Sequence, residues 1–247
     1  MIYLFGDSWG FSYKQFEPQV EWKDSQIFNG ADLASCIMEK IDNEVVNLCK
    51  RGSSLETIIE RIYQSSKLFN AGDTLIVLQT DPLRSYFVKW YSRDINSIDI
   101  DIHYDFSFND IVDYLIKRFY KKLKLIEKSF KVKILLIGGI SKLNYTLAKE
   151  QKLYFIDKSA SQIVLPYFKD NYYIESNYVL NNHLFFKENF NNYIATSICE
   201  IIDETDFKNN TWHNNEKYFT HNHMTVDANK IFAAEIVKHL KVLNENK

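Results

Sequence analysis

Short apolar runs with no polar interruption recur along this chain, and each stops at glycine or at turn residues. Residues 2–5 are Ile-Tyr-Leu-Phe, followed by Gly6, Asp7, Ser8 and Gly10. Residues 73–79 hold Thr-Leu-Ile-Val-Leu and run into Thr80, Asp81 and Pro82, and residues 132–137 run into Gly138 and Gly139. A run of this kind reads as a strand buried on both faces, which belongs in the middle of a parallel sheet. Two weaker segments, 44–48 and 153–156, read as further strands. Helical periodicity lies between them, so strand and helix alternate. That alternation predicts an α/β fold, with three α/β/α layers around a central parallel sheet of about five strands.

The connecting segments carry the expected signals. Residues 31–41 place Leu33, Ile37 and Ile41 at helical spacing. Ser53 to Glu56 has the form of a capping box with Ser53 at the N-cap, and Leu55, Ile58, Ile59 and Ile62 share one face of the helix behind it. Residues 111–130 form a long basic helix with Leu115, Phe119, Leu123 and Ile126 on one side, its lysines a solvated face. In the last helix Thr225 suits the N-cap and Asp227 the first turn, while Ile231, Ala234, Ile236, Val237 and Leu240 make the apolar side. With neither repeat nor Gly/Ser linker, residues 1–247 read as a single domain. Excursions are expected at 91–109 and at 166–210, the second with a helix near 190–202.

Composition narrows the function classes. The chain is 46 % hydrophobic and 25 % charged, an ordinary globular balance. A net charge of −2 gives no nucleic-acid footprint. No apolar stretch is long enough for a membrane span. Cys36, Cys49 and Cys199 lie far apart without a CxxC pair, so they read as buried small hydrophobes, with neither a disulfide framework nor a metal site. No cofactor motif is present. The apolar N-terminal run is too short for a cleavable signal, which points to a cytoplasmic protein. Nothing in the sequence specifies an oligomeric state.

The chemistry sits at strand ends. In open α/β sheets, ligands gather beyond the carboxyl ends of the strands. Ser8 supplies a hydroxyl just past the first strand. A serine hydroxyl is a weak nucleophile that needs a base within hydrogen-bond reach and donors for the developing oxyanion. His223, in a polar loop just before the last helix, is the best-placed of six histidines, with His221 the second candidate. Gly52, where a strand turns into a helix, offers an N–H group or simply a tight junction. Asp7 reads as structural, holding its turn by bonds to backbone N–H groups.

With those residues in view, the chain resembles the SGNH (GDSL-type) hydrolases, whose core is a flavodoxin-like sheet. Gly6-Asp7-Ser8 matches the nucleophile block, and residues 46–52, from Val46 to Gly52, look like the second block. Residues 78–81, Leu-Gln-Thr-Asp, lie where the family has Gly-x-Asn-Asp, and His223-Met224-Thr225 running into Asn229 resembles the closing block. The resemblance implies Ser8 as nucleophile, His223 as base, and N–H groups of Ser8 and Gly52 as oxyanion donors.

Two departures stand out. The third block lacks the asparagine that lends a side-chain donor; Thr80 or Asp81 takes that place, and losing one such donor typically costs about 10²–10³ in rate. Thr80 could donate instead, and a Thr80-to-Arg84 spacing also occurs in divergent relatives. The acid three residues before the histidine is replaced by Thr220, which leaves a Ser-His dyad. The first expectation is therefore an ester hydrolase acting on a small acyl ester, such as an O-acetyl group of a glycan. A catalytically lost protein that binds a glycan or a protein partner is the second. An O-acyltransferase using the same serine is the third.

Overall fold

The computed structural model describes residues 1–7, 10, 32–50, 53–80, 82, 108–139, 143–164, 219–220, 223–224 and 226–245. In chain order the elements are β1 (Ile2–Phe5), α1 (Leu33–Met38), β2 (Val45–Asn47), α2 (Leu55–Gln64), β3 (Thr74–Gln79), α3 (Phe108–Phe130), β4 (Lys133–Gly138), α4 (Tyr145–Glu150), β5 (Tyr154–Phe155), α5 (Ala160–Val164), β6 (Phe219–Thr220), β7 (His223–Met224) and α6 (Val226–Glu245). A 3₁₀ turn, Ser66–Leu68, follows α2.

Five strands pair in parallel in the order β2-β1-β3-β4-β5. The expected α/β/α architecture is thus the observed one. Alternation along the strands divides the core. Ile2, Leu4, Ile76 and Leu78 pack with Leu33, Ile37, Phe232 and Ile236 of α1 and α6. Tyr3, Phe5, Leu75 and Val77 pack with Leu55, Ile58, Ile62, Phe119 and Leu123 of α2 and α3. The unbroken apolar strands are explained by this double burial: every residue of β1 and β3 is buried.

Several local expectations are corrected. The capping box at α2 lies one residue later. Ser54 is the N-cap, accepting from the Thr57 N–H at 3.2 Å while Thr57 Oγ1 accepts from the Ser54 N–H at 2.6 Å. Ser53 is drawn instead into the preceding turn, where its hydroxyl donates to the Lys50 carbonyl at 2.7 Å. The first helix is shorter than 31–41, because Asp32 caps it by accepting from the Ser35 N–H at 2.8 Å and the helix ends at Met38. The long helix begins at Phe108 and so takes the last two residues of the expected excursion. His223 is not in a loop. It opens β7, which pairs antiparallel with β6, Thr220 opposite His223 and Phe219 opposite Met224. A two-residue connection suits a tight hairpin, which local turn signals did not announce. Residues 91–107, the stretch 166–210 with its expected helix, Cys199 and Thr225 lie outside the described residues. Cys36 and Cys49 are buried, as expected.

Two helices carry the architecture to the C-terminal rim. α6 ends at the N-terminal rim of the sheet: Lys133, the first residue of β4, donates from Nζ to the Leu243 carbonyl at 3.1 Å and to Asn244 Oδ1 at 3.0 Å. Twenty residues of α6 span about 30 Å, so its start, with the hairpin ahead of it, belongs to the opposite rim. The 23 residues of α3 span about 34 Å against about 20 Å for the six of β4, so its first turns reach past the C-terminal rim.

Candidate functional site

The sheet order reverses direction at β1. The chain moves from β1 to β2 on one side, then returns to β3 on the other. The crevice beyond the carboxyl ends of β1 and β3 is the switch point where ligands of doubly wound sheets bind. Gln79 ends β3 at that point, and Asp7 and Thr80 lie just past the ends of the two strands.

The loops there are tied to one another. After β1 the Gly10 N–H donates to the Asp7 carbonyl at 3.3 Å, closing a four-residue turn from 7 to 10. After β2 the Ser53 N–H donates to the Lys50 carbonyl at 3.3 Å, closing a second turn from 50 to 53. The Lys50 N–H donates to the Gly6 carbonyl at 3.2 Å and joins the two. Asn47 adds a side-chain strap. Its Nδ2 donates to the Gly10 carbonyl at 2.8 Å, and its Oδ1 accepts from the Cys49 N–H at 3.0 Å. On the β3 flank, Thr80 Oγ1 donates to Asp7 Oδ2 at 2.9 Å, with both residues buried. Arg61 braces the second turn from below, Nη1 donating to the Leu48 carbonyl at 3.2 Å and reaching Ser53 Oγ at 3.4 Å. Burial holds its guanidinium below the usual arginine range, while the nearby Cys49 and Glu60 act the other way.

Glycine is needed here for closeness. A Cβ on Gly6 would lie 2.8 Å from Leu78 Cβ, and one on Gly10 would lie 2.4 Å from Cys49 Sγ and 2.8 Å from Leu78 Cδ1. A Cβ on Gly139 would lie 2.9 Å from the Gln79 carbonyl oxygen, which accepts the Gly139 N–H at 3.0 Å. Cys49 fills the gap between the turns as a neutral group: burial, then the charge of Asp7, pushes its thiol well above the ordinary range.

Of the residues expected to act, Ser8, Gly52, Asp81, Arg84 and His221 lie outside the described residues, and of Thr220 and His223 the backbone alone is described. Residues 8 and 52 each fall in sequence between the ends of a closed turn. Thr80 is at the switch point, but its single hydroxyl proton goes to Asp7. Acting as an oxyanion donor would require that bond to break. Asp7 is bonded across to β3, a link beyond the backbone bonds expected of it. Four residues without an assigned part in the sequence reading hold the rim: Asn47, Cys49, Arg61 and Gln79. The first could have been suspected from a lone amide at the end of an apolar strand run. The Gln79 carboxamide is buried, and neither its oxygen nor its nitrogen has a hydrogen-bond partner among the described residues. A buried polar group left unpaired costs about 1–3 kcal/mol.

Solved structures similar to this chain include protein YXIM of Bacillus subtilis, 14 % identical over 99 % of this chain with a TM-score of 0.46. They also include a member of the lipolytic protein G-D-S-L family from Veillonella parvula DSM 2008, 12 % identical over 96 % of each chain with a TM-score of 0.42. This chain spans 56 % of the length of the Bacillus protein. No family model and no curated protein matches. With identities and TM-scores this low, neither likeness carries weight; the α/β fold rests on the sheet itself.

Proposed function

We propose that this chain is a serine ester hydrolase of the SGNH type. Ser8 Oγ attacks the acyl carbonyl carbon as His223 takes its proton, and the N–H groups of Ser8 and Gly52 receive the oxyanion. Collapse of the tetrahedral adduct breaks the ester C–O bond, and the proton on His223 leaves with the alcohol. A water, deprotonated by His223, then attacks the acyl-serine ester, and the acid departs as Ser8 regains its proton. The substrate is a small acyl ester, such as an O-acetyl group of a glycan.

The observation that carries this reading is the pair of closed turns at the switch point, 7–10 and 50–53, joined through Gly6 and Lys50. They bracket in sequence the serine and the glycine that the chemistry requires. The course of α6 supports it, since His223 comes just before the start of that helix, whose other end is tied to the N-terminal rim. Three features favour a second reading, a binding protein that has lost catalysis. Thr80 gives its proton to Asp7, and the sequence has neither an asparagine beside it nor an acid three residues before His223.

The test is direct. An esterase releases p-nitrophenol from p-nitrophenyl acetate and is labelled at Ser8 by a fluorophosphonate, and Ser8→Ala loses both. A binding protein shows neither reaction yet retains acetylated glycans on an array. An acyltransferase forms product only when an acceptor hydroxyl is supplied.

A further inference from the structure

We propose that Thr80 is a positioning residue. By donating its proton to Asp7 it fixes the turn after β1 against the end of β3, and it does not touch the acyl oxygen itself. The inference deepens the esterase reading and, as far as catalysis is concerned, rests on it.

Thr80 Oγ1 and Asp7 Oδ2 lie 2.9 Å apart, between residues 73 positions apart in sequence. Thr80 is 3 % exposed and Asp7 7 %, so water does not compete for the bond. An ionised carboxylate only accepts, so the proton in this bond comes from the threonine. A bond to an ionised acceptor is shorter and about twice as strong as a neutral one.

The described ends of the turn are held from two sides. Its Gly10 end is held by Asn47 from the β2 side and packs directly on Cys49 and Leu78. Its Asp7 end is held from the β3 side by Thr80. Both described ends of the turn, Asp7 and Gly10, are thus strapped from the flanking strands. Positioning of that kind matters kinetically, since a displacement of about 1 Å at a reacting group can cost about 10²-fold.

Thr80→Val keeps the shape and removes the proton; Thr80→Ser keeps the proton. In Thr80→Val we expect kcat on p-nitrophenyl acetate and the rate of fluorophosphonate labelling at Ser8 to fall about 10- to 100-fold with KM within about twofold. Thr80→Ser should stay within about threefold of the parent on every readout. Amide hydrogen exchange at Gly10, whose N–H is bonded to the Asp7 carbonyl, should speed up about tenfold or more in Thr80→Val and not in Thr80→Ser.

Should the valine variant fail to fold, Asp7→Asn keeps the acceptor oxygen, removes its charge and should give a smaller loss of about three- to tenfold. Unchanged Gly10 exchange in Thr80→Val overturns the inference whether or not the chain is an esterase. So does a loss confined to KM, which would mean substrate contact. If the parent neither turns over nor is labelled while Gly10 exchange responds as stated, the esterase reading fails and the strap stands.

Discussion

The two rims of the sheet use glycine in opposite ways. At the N-terminal rim Gly72 adopts φ +92°, with open space where a Cβ would be. It is glycine because the chain turns there in a left-handed conformation. The turn is closed locally, the Asn70 N–H donating to Asp73 Oδ2 at 2.7 Å, and is flanked by edge-on aromatic contacts of Phe69 with Tyr3, Phe5 and Phe130. At the C-terminal rim Gly6, Gly10 and Gly139 have ordinary φ values but no room for a side chain. The contacts there join residues distant in sequence, Thr80 to Asp7 and Asn47 to Gly10. Long-range ties hold both rims, Met1 to Asp73 and Lys133 to Leu243 at the first; what sets the second apart is that its glycines are packed without room for a side chain. The second arrangement is what a reacting group needs, and it is less tolerant of added volume.

The sharpest way to test this contrast is Ser8→Ala. It should abolish labelling and lower p-nitrophenyl acetate turnover by at least about 10³-fold. Next comes Gly10→Ala. Its methyl collides with Cys49 Sγ and Leu78 Cδ1, so it should destabilise by about 1–3 kcal/mol in urea titration. Because the collision falls on the turn itself, turnover per folded molecule should also drop.

At the other rim Gly72→Ala should cost about 1 kcal/mol through φ strain alone, with turnover per folded molecule intact. Equal effects of the two alanines on activity would erase the distinction between the rims.

The smallest expected effect concerns the thiols. Burial first, and then the charge of Glu39, raises Cys36 from 9.0 to about 11, and Cys49 is raised as well. The folded thiols keep protons that the unfolded chain releases. Their contribution to stability is therefore complete below pH 9 and lost as pH climbs toward 11. Urea midpoints should accordingly hold below pH 9 and decline above it, less steeply in Cys36→Ala. Iodoacetamide should modify Cys36 and Cys49 only as fast as the chain unfolds, a rate that peptide mapping reads directly.

Much of the fold was legible because its signals are local. An unbroken apolar run such as residues 2–5 or 74–78 has to be buried on both faces whatever its neighbours are. The apolar stripe of α2 is set by a 3.6-residue period. Cap positions were less secure. Two adjacent serines, Ser53 and Ser54, both suit an N-cap, and the choice was made by the Lys50 carbonyl, which took the hydroxyl of the first. The hairpin around His223 was missed because its strands are two residues each and carry no alternation to read.

The sequence alone therefore determined the elements, the double burial of the central strands and the placing of polar residues at their carboxyl ends. These follow from side-chain period and backbone preference within a few residues. Only the tertiary structure decided that β1 stands between β2 and β3, that Thr80 gives its proton to Asp7, and that Asn47 reaches Gly10. Each of those joins residues 37 or more positions apart or depends on which strands pair. The reason is geometric. Hydroxyls, amides and carboxylates bond to whatever the packed core brings within 3 Å or so, and which groups those are is settled once the strands have paired.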